Sequence, residues 1–162
     1  MTKTRELALT GVFAALYASL VYALAGISFE LVQIRVADAL IPLSMIFGWP
    51  AVVGVTVGCI VANVISPFST IVDIVGGSVA NFIASFLAWK IGTRYKTRKS
   101  EFIGCLAATM VLAIIVGTYL ALLTGIPIWL WWLSIFAGSF VSINILGYTL
   151  IQILKRTRIV AK

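Results

Sequence analysis

Long apolar runs, separated by short polar segments, make up most of this chain. The pattern predicts six membrane-spanning helices, at residues 6–26, 37–47, 51–65, 70–91, 102–123 and 129–154. A helix needs roughly 20 apolar residues to cross about 30 Å of hydrocarbon, so the second run is too short to cross untilted. Two short runs in succession predict a bundle with a thin outer half, in which irregular backbone lines a cavity.

The connections between these runs carry turn signals. Residues 27–36 alternate in polarity with a period closer to two than to that of a helix, which predicts an extended or hairpin-like connection. A tight turn on the inside is predicted at Gly48-Trp49-Pro50, and a turn on the outside at Thr124-Gly125-Ile126-Pro127. The third run is predicted to end at Ser66-Pro67.

Composition indicates that the chain lies in a membrane. Of its 162 residues, 62% are hydrophobic and 10% are charged, which is not the composition of a soluble domain. We therefore predict an all-α membrane protein with one domain over residues 1–162. It is expected to be a compact six-transmembrane-helix bundle that crosses the cell membrane several times and contacts the lipid bilayer.

The basic residues predict the orientation of this bundle. Eleven of the twelve lie in three blocks at the ends of apolar runs, near the amino terminus, at residues 90–99 and at residues 155–162, and only Arg35 stands apart. The positive-inside rule puts all three blocks, and hence both termini, on the cytoplasmic side. Because the net charge of +7 sits at helix ends and not along one face, nucleic-acid binding is not expected.

Small residues mark two faces for close helix packing. Ala14 and Ala18 are four residues apart, with Gly11 and Ala15 beside them, so another helix can approach the first span closely. That helix belongs either to this chain or to a partner subunit. On the fourth span, a ladder of small residues predicts a place at the bundle centre: Gly76 or Gly77, Ala80, Ala84 and Ala88.

Polar residues cluster in the predicted outer half of the bundle. The set comprises three carboxylates and three other polar side chains: Glu30, Asp38, Asp73, Gln33, Arg35 and Asn63. An unpaired charge in hydrocarbon is costly, so we expect these groups to face one another, a wet cavity or a ligand. Two plainer interpretations stay open. Arg35 could pair with Glu30 or Asp38 only to secure the loop, and Asp73 could be a helix-entry residue at the N-terminal dipole.

Three carboxylates against one arginine leave an excess of hydrogen-bond acceptors. Such a pocket favours a cation or a ligand rich in N–H donors, for example the edge of a guanine-type base. Aromatic residues are available to stack on a flat ring: Tyr119, Trp129, Trp132 and Phe68.

Catalytic signals are absent from the sequence. It contains no Walker A motif for ATP and no histidine, which removes the common nucleophile–histidine pairs and zinc sites. Cys59 and Cys105 lie in apolar runs without a CxxC partner, so we interpret them as buried small hydrophobes. We expect no cofactor, no metal and no enzymatic activity in this chain.

Three motifs resemble one family of membrane proteins. The runs VQIRVADAL at residues 32–40, GCIVAN at 58–63 and DIVGGS at 73–78 look like those of the QueT family. These proteins are substrate-binding S components of energy-coupling factor transporters, associated with uptake of queuosine precursors. The similarity covers nearly the whole chain, although Asp38 stands where the family pattern suggests glutamate.

The resemblance implies a six-helix S component that captures its solute from outside with high affinity. It implies association with a transmembrane coupling subunit and two cytoplasmic ATPases, the S component toppling in the membrane to deliver the solute. The alanine-rich first helix of S components is similar to Ala14 and Ala18 here and is where the coupling subunit docks. The implied solutes are 7-deazaguanines with a 7-cyano or 7-aminomethyl group, or a related archaeosine precursor.

We hypothesise that Arg35, Asp38, Asn63 and Asp73 line the pocket, with Gln33 and Glu30 in the loop above. Asp38 or Asp73 would accept the donors of the deazaguanine edge, Asn63 would meet its carbonyl, and Arg35 would donate to that carbonyl or fix a carboxylate. Alternatives are another vitamin or nucleobase as solute, a solo ion- or proton-coupled carrier, and a purely structural subunit.

Overall fold

The computed structural model describes residues 2–28, 34–64, 70–95 and 97–157. Within these ranges all regular secondary structure is helical, which confirms the predicted all-α class. In chain order the helices are α1 (Lys3–Ala23), α2 (Ala25–Ser28), a 3-10 helix (Val36–Leu43), α3 (Ser44–Phe47), α4 (Trp49–Val64), α5 (Ile71–Arg94), α6 (Arg98–Thr124), α7 (Ile128–Ser139), a π-helical segment (Phe140–Gly147) and α8 (Tyr148–Arg156).

Four of the described helices are long and apolar enough to cross a membrane. They are Lys3–Ala23, Ile71–Arg94, Arg98–Thr124 and the continuous Ile128–Arg156, which correspond to the first, fourth, fifth and sixth predicted spans. The second and third predicted spans are shorter apolar helices, Val36–Phe47 and Trp49–Val64. The count of six spans therefore stays a prediction.

The two helical segments without α geometry pack against each other. The 3-10 helix contains Pro42 and is buried from Ala37 to Leu43. At Gly147, at the end of the π-helical segment, a Cβ atom would lie 2.8 Å from Pro42 Cγ and 2.9 Å from the Ala39 carbonyl oxygen. Glycine is thus required for this close approach. A 3-10 helix rises about 2.0 Å per residue against 1.5 Å for an α-helix, so a short segment extends further through the bundle.

The structure corrects the bounds of two local predictions. The extended connection predicted at residues 27–36 is helical at Ile27 and Ser28 and enters the 3-10 helix at Val36, whereas residues 29–33 lie outside the described ranges. At these two ends, helical backbone hydrogen bonding outweighs the short polar alternation. At the predicted Gly48-Trp49-Pro50 turn, only Gly48 departs from helix, with φ +64°. Pro50 lies in the first turn of α4, where a missing N–H costs nothing.

Contacts between helices show how α5 and α6 run. Near one end, the Tyr119 hydroxyl donates to Asp73 Oδ1, and near the other, the Ser100 hydroxyl donates to the Ile91 carbonyl oxygen. The two helices are therefore antiparallel. Ala80, Ala84 and Ala88 are fully buried on α5, which confirms the predicted small-residue face of a central helix.

Helix α4 is antiparallel to α5 and parallel to α1. Asn63 contacts Asp73 at one end of the α4–α5 pair, and the Trp49 ring lies 5.6 Å from the Trp89 ring at the other. Against α1, a Cβ at Gly54 would lie 2.8 Å from the Thr10 carbonyl oxygen, and one at Gly58 would lie 2.7 Å from Tyr17 Cβ. The glycines of α4 therefore let α1 approach backbone to backbone.

These directions bring the basic helix ends together. Apart from Arg35, the described cations lie at the start of α1, the end of α5, the start of α6 and the end of α8: Lys3, Arg5, Lys90, Arg94, Arg98, Lys99, Lys155 and Arg156. We call this the basic end. Here Glu101, which is buried on α6, accepts from Gln152 Nε2 at 2.7 Å and forms an ion pair with Lys155. The contact holds the end of α8 against α6.

Candidate functional site

Four of the six predicted site residues lie in one buried cluster, nearer to the opposite end of the bundle. The exposed fractions of Arg35, Asp38, Asn63 and Asp73 are 9%, 4%, 0% and 2%. Their elements are the entrance to the 3-10 helix, the end of α4 and the start of α5. The other two predicted residues, Glu30 and Gln33, lie outside the described ranges.

Asp38 is held by a tyrosine from α1. The Tyr17 hydroxyl donates to Asp38 Oδ1 at 2.6 Å, and both side chains are buried. The backbone N–H of Asp38 donates to the Arg35 carbonyl oxygen at 2.9 Å, so the start of the 3-10 helix keeps Arg35 and Asp38 adjacent. A buried carboxylate needs such a donor, because leaving it without one costs much more than an ordinary hydrogen bond contributes.

Arg35 reaches into the bundle toward α4. Its Nη1 atom lies 3.9 Å from Cys59 Sγ, which is within reach of a weak hydrogen bond to sulfur. Cys59 and Cys105 are free and fully buried, as predicted for small hydrophobes. Cys59 therefore has a contact with the cluster that its apolar surroundings in the sequence do not reveal.

Asp73 occupies the first turn of α5 without capping the helix. The cap is Thr70, whose hydroxyl oxygen accepts the Asp73 backbone N–H at 3.1 Å. The Asp73 side chain instead accepts from the Tyr119 hydroxyl at 2.9 Å. Its charge still complements the N-terminal dipole of α5, so the plainer interpretation and the cluster are compatible.

Asn63 has a defined orientation. Its Nδ2 atom donates to the Asp73 carbonyl oxygen at 3.0 Å, and only the amide nitrogen can make this bond because a carbonyl cannot donate. The same nitrogen lies against Gly77, where a Cβ would be 2.3 Å away. Asn63 Oδ1 has no hydrogen-bond partner among the described residues. The Asn63 atom without a partner is therefore an acceptor. Because a solute carbonyl also only accepts, this argues against the predicted contact between Asn63 and a solute carbonyl.

A small cavity lies beside Arg35 and Asp38 of the cluster. It has a volume of about 20 Å³ and is lined by charged, small and apolar side chains: Arg35, Asp38, Gly77, Leu112, Val116, Ile135 and Ser139. This volume holds about one water molecule, whereas ligand pockets usually measure about 300–1,000 Å³. The walls must separate before a purine-sized solute can enter.

The predicted aromatic residues take different positions. Trp129 and Trp132 are exposed and do not line the cavity. Of the three tryptophans near the start of α7, only Trp131 faces the interior. The Trp131 indole donates to the Thr124 hydroxyl at 2.8 Å. Tyr119 contributes its hydroxyl to Asp73, and Phe68 lies outside the described ranges.

Sequence reasoning missed both tyrosines as carboxylate donors. Tyr17 is 21 residues from Asp38, and Tyr119 is 46 residues from Asp73. A tyrosine within an apolar span is a usable signal, because its hydroxyl must find a partner when buried. A buried polar layer on α6 and the π-helical segment was likewise not predicted from the sequence; it is formed by Thr109, Ser142 and Asn144.

The family model of the QueT transporter family matches residues 7–156 of the chain. The matched range includes Arg35, Asp38, Asn63 and Asp73. No curated protein and no solved structure matches the chain.

Proposed function

Because the chain belongs to the QueT transporter family, we propose that it is the substrate-binding S component of an energy-coupling factor transporter. In this role it captures a small solute at the buried cluster of Arg35, Asp38, Asn63 and Asp73. ATP hydrolysis belongs to partner subunits, since this sequence has no Walker A motif. The match over residues 7–156 supports a transporter component over a solely structural subunit.

The proposed solute is a 7-deazaguanine, and the observation that carries this proposal is the excess of acceptors in the buried cluster, of which Arg35 and Asp38 line the cavity. The carboxylates of Asp38 and Asp73 and Asn63 Oδ1 all accept, whereas Arg35 is the one cation among the four residues. The N1–H and amino groups of a guanine-type edge supply donors for these oxygens, and the Arg35 guanidinium can donate to the ring carbonyl. In this arrangement Asn63 Oδ1 accepts a hydrogen bond from an N–H of the solute.

Apolar side chains complete the proposed site. Leu112 and Val116 on α6 and Ile135 on α7 line the cavity opposite Asp38 and Gly77. They can cover the faces of a flat ring after the cavity opens, which replaces the aromatic stacking predicted from Trp129 and Trp132. Opening requires α6 and α7 to separate from α5 and the 3-10 helix.

The proposed topology has six spans with both termini in the cytoplasm. The gathering of the basic residues at one end of the bundle supports this orientation by the positive-inside rule. The buried cluster then lies toward the outer side of the cell membrane, where an S component takes up its solute. The short helices Val36–Phe47 and Trp49–Val64 are the second and third spans of this topology.

Helix α1 is the proposed docking surface for the coupling subunit, which links the S component to two ATPases. Only 17% of its most apolar stretch is buried, against 44% in each of the three other long helices. Ala14 and Ala18 are half-buried, and the Ala14 carbonyl oxygen contacts α4 at Gly58. The two alanines therefore lie at the border between the packed side of α1 and its exposed side. Gly11 and Ala15 are exposed and allow a partner helix to approach closely.

The test of solute capture is calorimetry on the detergent-purified chain with 7-cyano- and 7-aminomethyl-7-deazaguanine, and with guanine and thiamine as comparison solutes. We expect tight one-to-one binding of a deazaguanine. Asp38→Asn and Asp73→Asn each keep the side-chain shape and should weaken binding. Glu6→Gln is the matched control, because Glu6 is an exposed carboxylate at the basic end.

Other outcomes of this test favour the alternatives. Binding of thiamine or guanine in place of the deazaguanines would assign another solute to the same architecture. If the chain binds none of the four solutes, the deazaguanine assignment is rejected and an open solute screen is needed. Uptake by vesicles that contain this chain but no ATPase would favour a solo ion- or proton-coupled carrier.

A further inference from the structure

A second buried polar layer lies in the bundle. It consists of Thr109 on α6 and of Ser142 and Asn144 on the π-helical segment, with exposed fractions of 0%, 0% and 3%. The Thr109 hydroxyl donates to Asn144 Oδ1 at 2.7 Å. Asn144 Nδ2 and Ser142 Oγ have no hydrogen-bond partner among the described residues. The layer therefore presents hydrogen-bonding atoms that no described residue uses.

Two independent features suggest that this layer serves a ligand. Buried polar groups without partners carry a desolvation cost, and apolar residues of similar size would avoid it. The backbone that carries Ser142 and Asn144 is also π-helical, a rare geometry that occurs frequently at functional sites. Both features fall on the same few residues.

The layer lies directly beyond the cavity described above. Leu112 and Ser139 line that cavity. Thr109 precedes Leu112 by three residues on α6, and Asn144 follows Ser139 by five residues where the backbone becomes π-helical. These spacings place each pair on one helix face, about one turn or 5 Å apart. The hydrogen bond between Thr109 and Asn144 joins the two faces below the cavity.

We propose that the solute site extends onto this layer, where Asn144 binds a neutral, hydrogen-bond-accepting substituent of the solute. This inference rests on the proposed function. With the guanine-type edge at Asp38 and Arg35, the opposite end of the ring system points across the cavity toward α6 and α7. The 7-substituent of a deazaguanine then meets Asn144 Nδ2, which donates to a nitrile.

Charge sets the preference between the two candidate substituents. The layer is formed by neutral side chains, and the carboxylates of Asp38 and Asp73 belong to the guanine-edge side of the site. Glu101 lies eight residues before Thr109 on α6, about 12 Å along the helix, and already binds Lys155 and Gln152. An aminomethyl ammonium would be buried here without a counter-charge, which is unfavourable. The site should therefore favour the 7-cyano compound.

The test is the ratio of the dissociation constants for 7-cyano- and 7-aminomethyl-7-deazaguanine, measured by calorimetry on the full chain. We expect the wild type to favour the cyano compound by about tenfold or more. Asn144→Asp is nearly isosteric and adds a carboxylate, so it should reverse the preference. Asn144→Leu removes the amide donor with little change in side-chain size, should weaken cyano binding about three- to tenfold, and provides a second test if the aspartate variant does not fold.

Asn81→Leu is the matched control for removing a buried amide. Asn81 is 1% exposed on α5 and donates to the Val55 carbonyl oxygen, on the side facing α4. It should lower the thermal stability and leave the ratio unchanged. If the wild type binds a deazaguanine but neither Asn144 variant changes the ratio, this inference is wrong and the proposed function stands. If the wild type binds neither compound, this inference and the deazaguanine assignment are both overturned.

Discussion

Gly77 and Asn63 are in such close contact that a Cβ atom at position 77 would lie 2.3 Å from the Asn63 amide nitrogen. Gly77 also lines the cavity with Arg35 and Asp38. The absence of a side chain at position 77 thus lets Asn63 lie next to a cavity-lining residue. In this position Asn63 donates to the Asp73 carbonyl oxygen, and its Oδ1 has no hydrogen-bond partner among the described residues.

Gly77→Ala is predicted to lower solute affinity about tenfold, because the new methyl group must displace the Asn63 amide and with it one acceptor of the site. Calorimetry with the bound deazaguanine measures the change. Gly26→Ala is the matched control, since a Cβ there would have no heavy atom within 4 Å. Equal affinities of the two variants would contradict the role given to Asn63.

Tyr119→Phe is predicted to destabilise the protein by about 1.5–3 kcal/mol, because Asp73 loses a buried donor to its carboxylate. The expected readouts are a lower thermal unfolding midpoint in detergent and weaker solute binding. Tyr95→Phe removes a hydroxyl from an exposed tyrosine and serves as the control. An unchanged midpoint in Tyr119→Phe would mean that Asp73 does not depend on this hydrogen bond.

Glu101→Gln is predicted to lower the stability of the protein without changing its affinity for the solute. It removes the charge that pairs with Lys155 and should lower stability by about 1–2 kcal/mol, since the lysine is half-exposed and part of the interaction is screened. Solute affinity should not change, because Glu101 lies at the basic end. Lys99→Gln, an exposed cation at the same end, is the control. A large loss of affinity in Glu101→Gln would show that the two ends are coupled.

Ala15→Leu is predicted to weaken association with the coupling subunit and to leave solute binding intact. Ala15 is exposed on α1, so the larger side chain blocks close helix approach without disturbing the bundle. Co-purification from cells that express all transporter subunits provides the measurement. Leu133→Ala, which alters an exposed residue on α7, is the control. Undiminished co-purification of the Ala15 variant would move the proposed interface away from this face.

Much of the buried cluster could be predicted from the sequence because charge is rare in an apolar chain. Arg35, Asp38, Asn63 and Asp73 stand out within apolar runs, and the cost of burying them alone predicts that they meet. Their partners could not be identified in this way. The donors Tyr17 and Tyr119 are distant in sequence, and any buried tyrosine could have filled either role.

The helical membrane class, the order of the apolar segments, the family and the position of the basic residues at helix ends could all be predicted from the amino-acid sequence. The membrane properties follow from local composition, because the exclusion of charge and of unpaired backbone from hydrocarbon acts on each segment separately. The packing of the helices, in contrast, sets the orientation of the Asn63 amide, turns Trp129 and Trp132 outward, and places the polar layer of Asn144 beyond the cavity. Such features depend on which helix faces meet, and contacts between residues far apart in the chain determine that.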